Sequence, residues 1–296
     1  MSRNGSGPYR SMGWTFGLIF VLGVLFLPES ASASEKWSFA VIADIHDAHA
    51  SYRNVLDEMK TPRAAREVRA ECIDFLLVLG DLSPVSVNYA LFQKTFEGPR
   101  PFFLPARGNH ENKGDLQVIG ERVLPAAEAV VGSMLNRFSP AGFSYWFDWK
   151  GARIILLDQY ADFKKSGTSP HALRWLEQAL DSAHSADHIF VGFHEPFFPW
   201  ETEEDPFWRV LIRHRADIRA VLFGHTHVYF RTRYPDPFGG IHVINVGNGG
   251  RNAHSDKRQT ILYVNVEGKS AHAATVQAPD GRKDFRLAES FSLNKP

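Results

Sequence analysis

Five short polar blocks constrain this chain more than any other feature: Asp44-Ile45-His46, Gly80-Asp81, Gly108-Asn109-His110-Glu111, Phe193-His194-Glu195-Pro196 and Gly224-His225-Thr226-His227. Each follows an apolar run rich in strand-forming residues, which would deliver it to a sheet edge. Each also collects carboxylate, amide or imidazole donors, the ligand types that hold first-row metals such as Zn, Mn or Fe. Taken singly, the blocks have plainer readings: a loop aspartate, a turn, a pair of packed histidines. Their joint occurrence favours chemistry over packing.

The apolar runs set an order of elements. Trp37 to Ala43 reads as a strand ending at Asp44, and residues 51–72 as helical with a break at Thr61-Pro62. Phe75 to Leu79 and Phe102 to Leu104 are further strands, and residues 115–137 look mainly helical. Phe143 to Trp149 and Arg153 to Leu157 flank Lys150-Gly151-Ala152 as strand, turn and strand. Pro170 to Leu180 and Pro206 to His214 read as helices, while His188 to Phe193 and Ala220 to Phe223 are strands leading to His194 and His225. After Val228 the pattern is strands and turns. Helical crossovers followed by meandering strands predict an α/β fold of two packed sheets clothed by helices. Segments 82–100 and 196–208 resist assignment.

With 296 residues and 44% hydrophobic content, a large core is available, and the zero formal charge gives no basic surplus for nucleic acid. Residues 1–33 differ from the rest. Arg3 and Arg10 precede the apolar run Trp14 to Leu27, and Ala31-Ser32-Ala33 supplies small residues for cleavage, the anatomy of a secretory signal. The run is short against the roughly 20 residues of a membrane-spanning helix. The expectation is export to the periplasm or outside after cleavage near Ala33, leaving residues 34–296 as one domain, with membrane association only if the segment stays attached. Cys72 is the single cysteine, so no internal disulfide can form, and its place before an apolar strand predicts a buried thiol.

Asp44 and His46, two apart in a segment read as extended, would point the same way and grip one ion. Asp81 carries two oxygens and could bridge two cations. His225 and His227 would reach separate ions if the loop twists between them. With these residues in place, the chain resembles the calcineurin-like metallophosphoesterases, from about residue 37 to about 250. The Phe143 to Leu157 strand pair, Leu173-Arg174-Trp175-Leu176 and the Gly247-Asn248-Gly249-Gly250 turn belong to the match.

The resemblance implies a four-layer sandwich of two mixed sheets flanked by helices, and two metal ions, Mn, Zn or Fe. It assigns Asp44, His46 and His227 to the first ion, Asn109, His194 and His225 to the second, and Asp81 to both. Two cations ~3.5–4 Å apart lower the pKa of water and provide hydroxide for attack on phosphorus. His110 would stand beside the metals and protonate the leaving oxygen.

Departures narrow the subtype. Where purple acid phosphatases carry a tyrosine ligand three residues after the bridging aspartate, this chain has Pro84; where protein phosphatases carry an acid and an arginine, it has Leu82-Ser83-Pro84-Val85. Glu111 is then the remaining acid near His110, although its adjacent position can aim it elsewhere. Arg107 and Arg251 lie beside the loops as phosphate contacts or as solvated charges. The expected activity is hydrolysis of small phosphate esters, monoester or diester. The alternative is a silent, metal-stabilised binding or scaffold protein of the same fold, separable by an ester panel.

Overall fold

The computed structural model describes residues 35–64, 72–132, 135–138, 142–163, 169–196, 205–234, 240–250, 258–279 and 281–294. The predicted export signal, Arg251 and residues 197–204 fall outside this set.

In chain order, β1 (Lys36–Ile42), α1 (His49–Lys60), β2 (Phe75–Leu79), α2 (Val85–Thr95) and β3 (Phe102–Ala106) form the opening crossovers. Next, α3 (Lys113–Val118) passes through a π-helical turn, Ile119–Val123, into α4 (Leu124–Val131). Strands β4 (Asn136–Arg137), β5 (Tyr145–Trp149) and β6 (Ala152–Leu156) lead to α5 (Pro170–Asp181), β7 (His188–Gly192), α6 (Pro206–Arg213) and β8 (Ile218–Phe223). The chain finishes with β9 (Tyr229–Tyr234), β10 (Ile241–Val246), β11 (Arg258–Glu267), β12 (Ser270–Pro279) and β13 (Arg286–Ser292).

Two mixed sheets result, ordered β13-β12-β11-β1-β2-β3 and β4-β5-β6-β7-β8-β10-β9. β1, β2 and β3 are parallel, as are β6, β7, β8 and β10. Edge-to-face ring contacts join the two packed sheets, Phe39 with Phe190 at 5.1 Å and Phe75 with Phe147 at 5.7 Å. Val55, Leu56 and Met59 of α1 and Tyr89 and Phe92 of α2 belong to the core of the first sheet, while Leu176 of α5 and Phe207, Trp208 and Leu211 of α6 pack on the second. Covered on both faces, β2, β3, β6, β7, β8 and β10 are buried at every residue, which explains sequences that are apolar apart from Arg153, His188, Arg219, His242 and Asn245. Full burial of each Leu, Ile, Val or Phe contributes about 1.5–3 kcal/mol. Among the described residues, no helix is long and apolar enough to cross a membrane.

Some expectations need correction. Segment 82–100 holds a helix, α2, and the predicted helix over 115–137 ends at Val131, with 136–137 an edge strand. The last strand, β13, has no apolar run to mark it in the sequence. Cys72 is exposed rather than buried, because the apolar run that enters the core begins one residue later at Ile73. Within segment 196–208, Phe207 and Trp208 are core residues.

Candidate metal centre

All five blocks sit at the C-terminal ends of strands, but of two sheets rather than one. Loops after β1, β2 and β3 carry Asp44, His46, Asp81 and Asn109; loops after β7 and β8 carry His194, His225 and His227. Parallel strands place these ends together, the usual location of sites in α/β folds.

The local backbone departs from the extended segment expected at Asp44-Ile45-His46. β1 has already ended at Ile42, and Asp44, His46, Asp81, His225 and His227 all adopt left-handed φ values of 51–70°. Lys150 is the one other non-glycine with positive φ among the described residues. Left-handed backbone costs an L-residue on the order of 1 kcal/mol. Concentrated at one place, such strain points to function. Hydrogen bonds between loops offset it: Asp44 N–H donates to Gly80 O (3.1 Å), and Ile45 and His46 N–H both donate to Asp81 O (3.0 and 2.9 Å). Left-handed turns, not strand alternation, therefore converge the side chains.

Two glycines are required by contact. A Cβ on Gly108 would lie 2.3 Å from both the amide nitrogen and Oδ1 of Asp81. One on Gly80, itself at φ +84°, would lie 2.4 Å from His194 Nδ1.

Donor atoms of Asp44, His46, Asp81 and His227 lie within 4.8 Å of one another, and so do those of Asp81, His194 and His225. Asp81 belongs to both groups. Its Oδ2 is 3.4 Å from His46 Nε2 and 3.3 Å from His194 Nε2. Asn109 joins the second group, its Oδ1 lying 2.9 Å from His194 Nε2 and 3.2 Å from His225 Nδ1. The seven sequence-predicted residues thus meet in one place, and His225 and His227 do fall into separate groups.

Burial controls the electrostatics. Asp44 is fully buried, and desolvation pushes its carboxyl up to about 8 despite the His194 charge and the His225 N–H that it accepts at 2.9 Å. Burial also acts against ionised Asp81, but hydrogen bonding and charge from His194 outweigh it and hold the carboxyl at about 2. Burial opposes the His194 cation too, yet Asp81 and Asp44 raise the ring to about 9. The Leu79 carbonyl, 2.7 Å from His194 Nδ1, can only accept, so Nδ1 carries a proton and Nε2, on losing its own, would offer a lone pair on the side of Asn109 and Asp81. Such a set of buried carboxylates, an amide oxygen and oriented imidazoles fits a cation.

His110 stands at the rim, half-exposed, with Nε2 3.9 Å from Asp81 Oδ2 and its ring edge-on to His46 at 4.7 Å. Its N–H donates to Asp81 Oδ1 at 3.0 Å. Glu111 does not orient His110. Instead its buried carboxylate accepts from the backbone N–H groups of Gly108 (2.5 Å), Leu82 (2.5 Å), Ser83 (3.1 Å) and Asp81 (3.3 Å), strapping the second loop to the third. Burial, with the nearby Asp81 charge, shifts the Glu111 carboxyl up. Arg107 turns away from solvent to Asp158, at 3.6 Å, and over the Tyr160 ring. Asn88, which the sequence did not single out, donates from Nδ2 to the carbonyls of His46 (2.7 Å) and Leu82 (2.9 Å). Its Oδ1 meets His49, which therefore serves this tie rather than the donor groups.

A protein of Synechococcus sp. described as a probable cyclic nucleotide phosphodiesterase is 28% identical over 210 residues, covering 65% of this chain and 74% of the relative. Among solved structures, Plasmodium GAP50, the anchor in the inner membrane complex, superposes with TM-score 0.56 at 14% identity, covering 88% of this chain and 89% of that one. PhoD gives TM-score 0.55 at 11% identity, covering 88% and 73%. These two likenesses concern the fold. Residues 38–229 match the model of the calcineurin-like phosphoesterases, and the chain belongs to that family.

Proposed function

We propose that this protein is an exported phosphodiesterase using two metal ions, with Asp44, His46 and His227 around one, Asn109, His194 and His225 around the other, and Asp81 shared. The observation that carries the reading is Asp81, one buried carboxylate common to both donor groups. Bound cations would supply Lewis acidity and a hydroxide nucleophile at neutral pH. The chain's own groups do the rest. His110, free to approach a substrate from the rim, gives a proton to the leaving oxygen. His194 is held by Leu79 O so that its Nε2 stays available. Export near Ala33, leaving 34–296 as one domain, rests on the N-terminal pattern alone.

Diester hydrolysis is favoured over monoester hydrolysis by charge. A monoester brings a second negative charge, and Arg107, the cation nearest the Asn109 loop in sequence, is already paired with Asp158. A diester's single charge suits a rim of imidazoles, and the likeness to the probable cyclic nucleotide phosphodiesterase of Synechococcus supports the same choice. Metal-reconstituted protein should hydrolyse bis(nitrophenyl) phosphate faster than mononitrophenyl phosphate, and chelation should abolish both reactions. A higher kcat/KM for the monoester would reverse the preference, and no turnover of any ester by protein holding two ions would leave the scaffold alternative.

Metal uptake should be strongly pH-dependent. Without a cation the Asp44 carboxyl titrates at about 8 and His194 at about 9, so at pH 7 both hold protons that ligation must expel. Affinity therefore rises with pH below 8, by as much as about a hundredfold per unit, and levels off above 9. Calorimetry in buffers of different ionisation enthalpy reads the released protons directly; no buffer dependence at pH 7 would contradict this.

A further inference from the structure

We infer that Asp158-Gln159-Tyr160, the turn after β6, is the positioning unit of the second donor group, setting Asn109 against His194. The inference rests on the reading that this group holds a cation.

Asn109 and His194 come from different sheets, after β3 and β7, and no ladder pairs those strands. The first group needs less help, since Asp44, Ile45 and His46 are tied to the Asp81 loop through backbone amides. Each residue of the turn meets a loop of the second group. Gln159, buried, donates from Nε2 to Glu195 O and accepts from Glu195 N–H, both at 2.6 Å, closing a two-bond ring on the residue directly after His194. Asp158, fully buried, faces Arg107 Nη1 at 3.6 Å, and Arg107 lies two residues before Asn109. Its other oxygen accepts from Tyr160 N–H (2.8 Å) and Ala161 N–H (3.0 Å), which fixes the carboxylate. The Tyr160 ring fills the space between, 5.5 Å from the Arg107 guanidinium and 6.4 Å from the His194 ring.

A clamp of this kind acts by holding ligand atoms at coordinating separation. Loosening it should weaken one ion and spare the other, a pattern that general destabilisation does not produce. Outer contacts of metal ligands typically govern affinity by about 10–100-fold.

The test is Mn(II) titration of chelated full-length protein by calorimetry, with paramagnetic resonance to detect coupling between two ions. Wild type should take up two ions. Gln159→Leu, and independently Arg107→Met, should weaken one step about 10–100-fold, leave the other unchanged, and lose the coupled signal at limiting metal. Two variants on opposite sides of the turn protect against a misfolded one, and thermal unfolding of the chelated forms shows which are folded. Folded variants that retain both wild-type steps, or lose both equally, overturn the inference while leaving the metal reading intact. Wild type that never binds two ions removes the reading and the inference together.

Discussion

Asp81→Asn is expected to reduce phosphoester hydrolysis by on the order of 10³-fold or more, equivalent to about 4 kcal/mol of lost barrier lowering. The Asp81 carboxyl lies at about 2, so the wild-type group is ionised at every pH at which the protein would work. Its Oδ2 lies 3.3 Å from His194 Nε2 and 3.4 Å from His46 Nε2, between the donor groups. Asparagine fits the same space and can keep the bond from His110 N–H to Oδ1, but it removes the only charge common to both groups. An amide NH2 in place of Oδ2 would also donate toward the imidazole lone pairs that a cation needs. Uptake of the second ion should fail with activity, while the chelated variant unfolds within a few degrees of chelated wild type. Retention of two ions and a tenth of wild-type kcat would show that Asp81 does not hold the site together.

The dependence on so few atoms explains which features the sequence disclosed. Strands β2, β7 and β8 were legible because both faces are covered, so Phe75 to Leu79, Ile189 to Gly192 and Ala220 to Phe223 run apolar without interruption. The donor set was legible for a chemical reason, since buried carboxylates and imidazoles have few roles and five blocks of them at strand ends have fewer.

Helix α2 was hidden because Val85-Ser86-Val87-Asn88 is rich in β-branched residues and its N-cap, Pro84, makes no side-chain capping bond. The left-handed backbone at Asp44 and His46 leaves no local mark, because it is imposed by amides donating to Gly80 and Asp81, which lie 35 or 36 residues away. Asn88 and Gln159 escaped notice for the same reason. Apart from the His49 ring on Asn88, their partners here are main-chain groups, which carry no residue identity for a sequence to display.

Glu111 follows the same logic, and its replacement should have the largest effect on folding. Each of its oxygens accepts from two backbone amides, Oε1 from Leu82 and Ser83 and Oε2 from Asp81 and Gly108. In Glu111→Gln the NH2 group must replace one oxygen, turning a donor toward two N–H donors and leaving them without an acceptor in a buried place. A buried donor left unsatisfied costs roughly 1–3 kcal/mol, so two such losses come to about 3 kcal/mol or more. For a chain of this size that is a fall in Tm of about 6–12 °C, read by thermal unfolding of chelated protein. Because Asp81 and Gly108 are among the amides released, the loops that carry Asp81 and Asn109 should separate and metal affinity should fall with stability. Glu111→Ala, which leaves all four amides without the carboxylate, should do at least as much damage. If either variant melts with wild type, the carboxylate is dispensable and the strap between the second and third loops lies elsewhere.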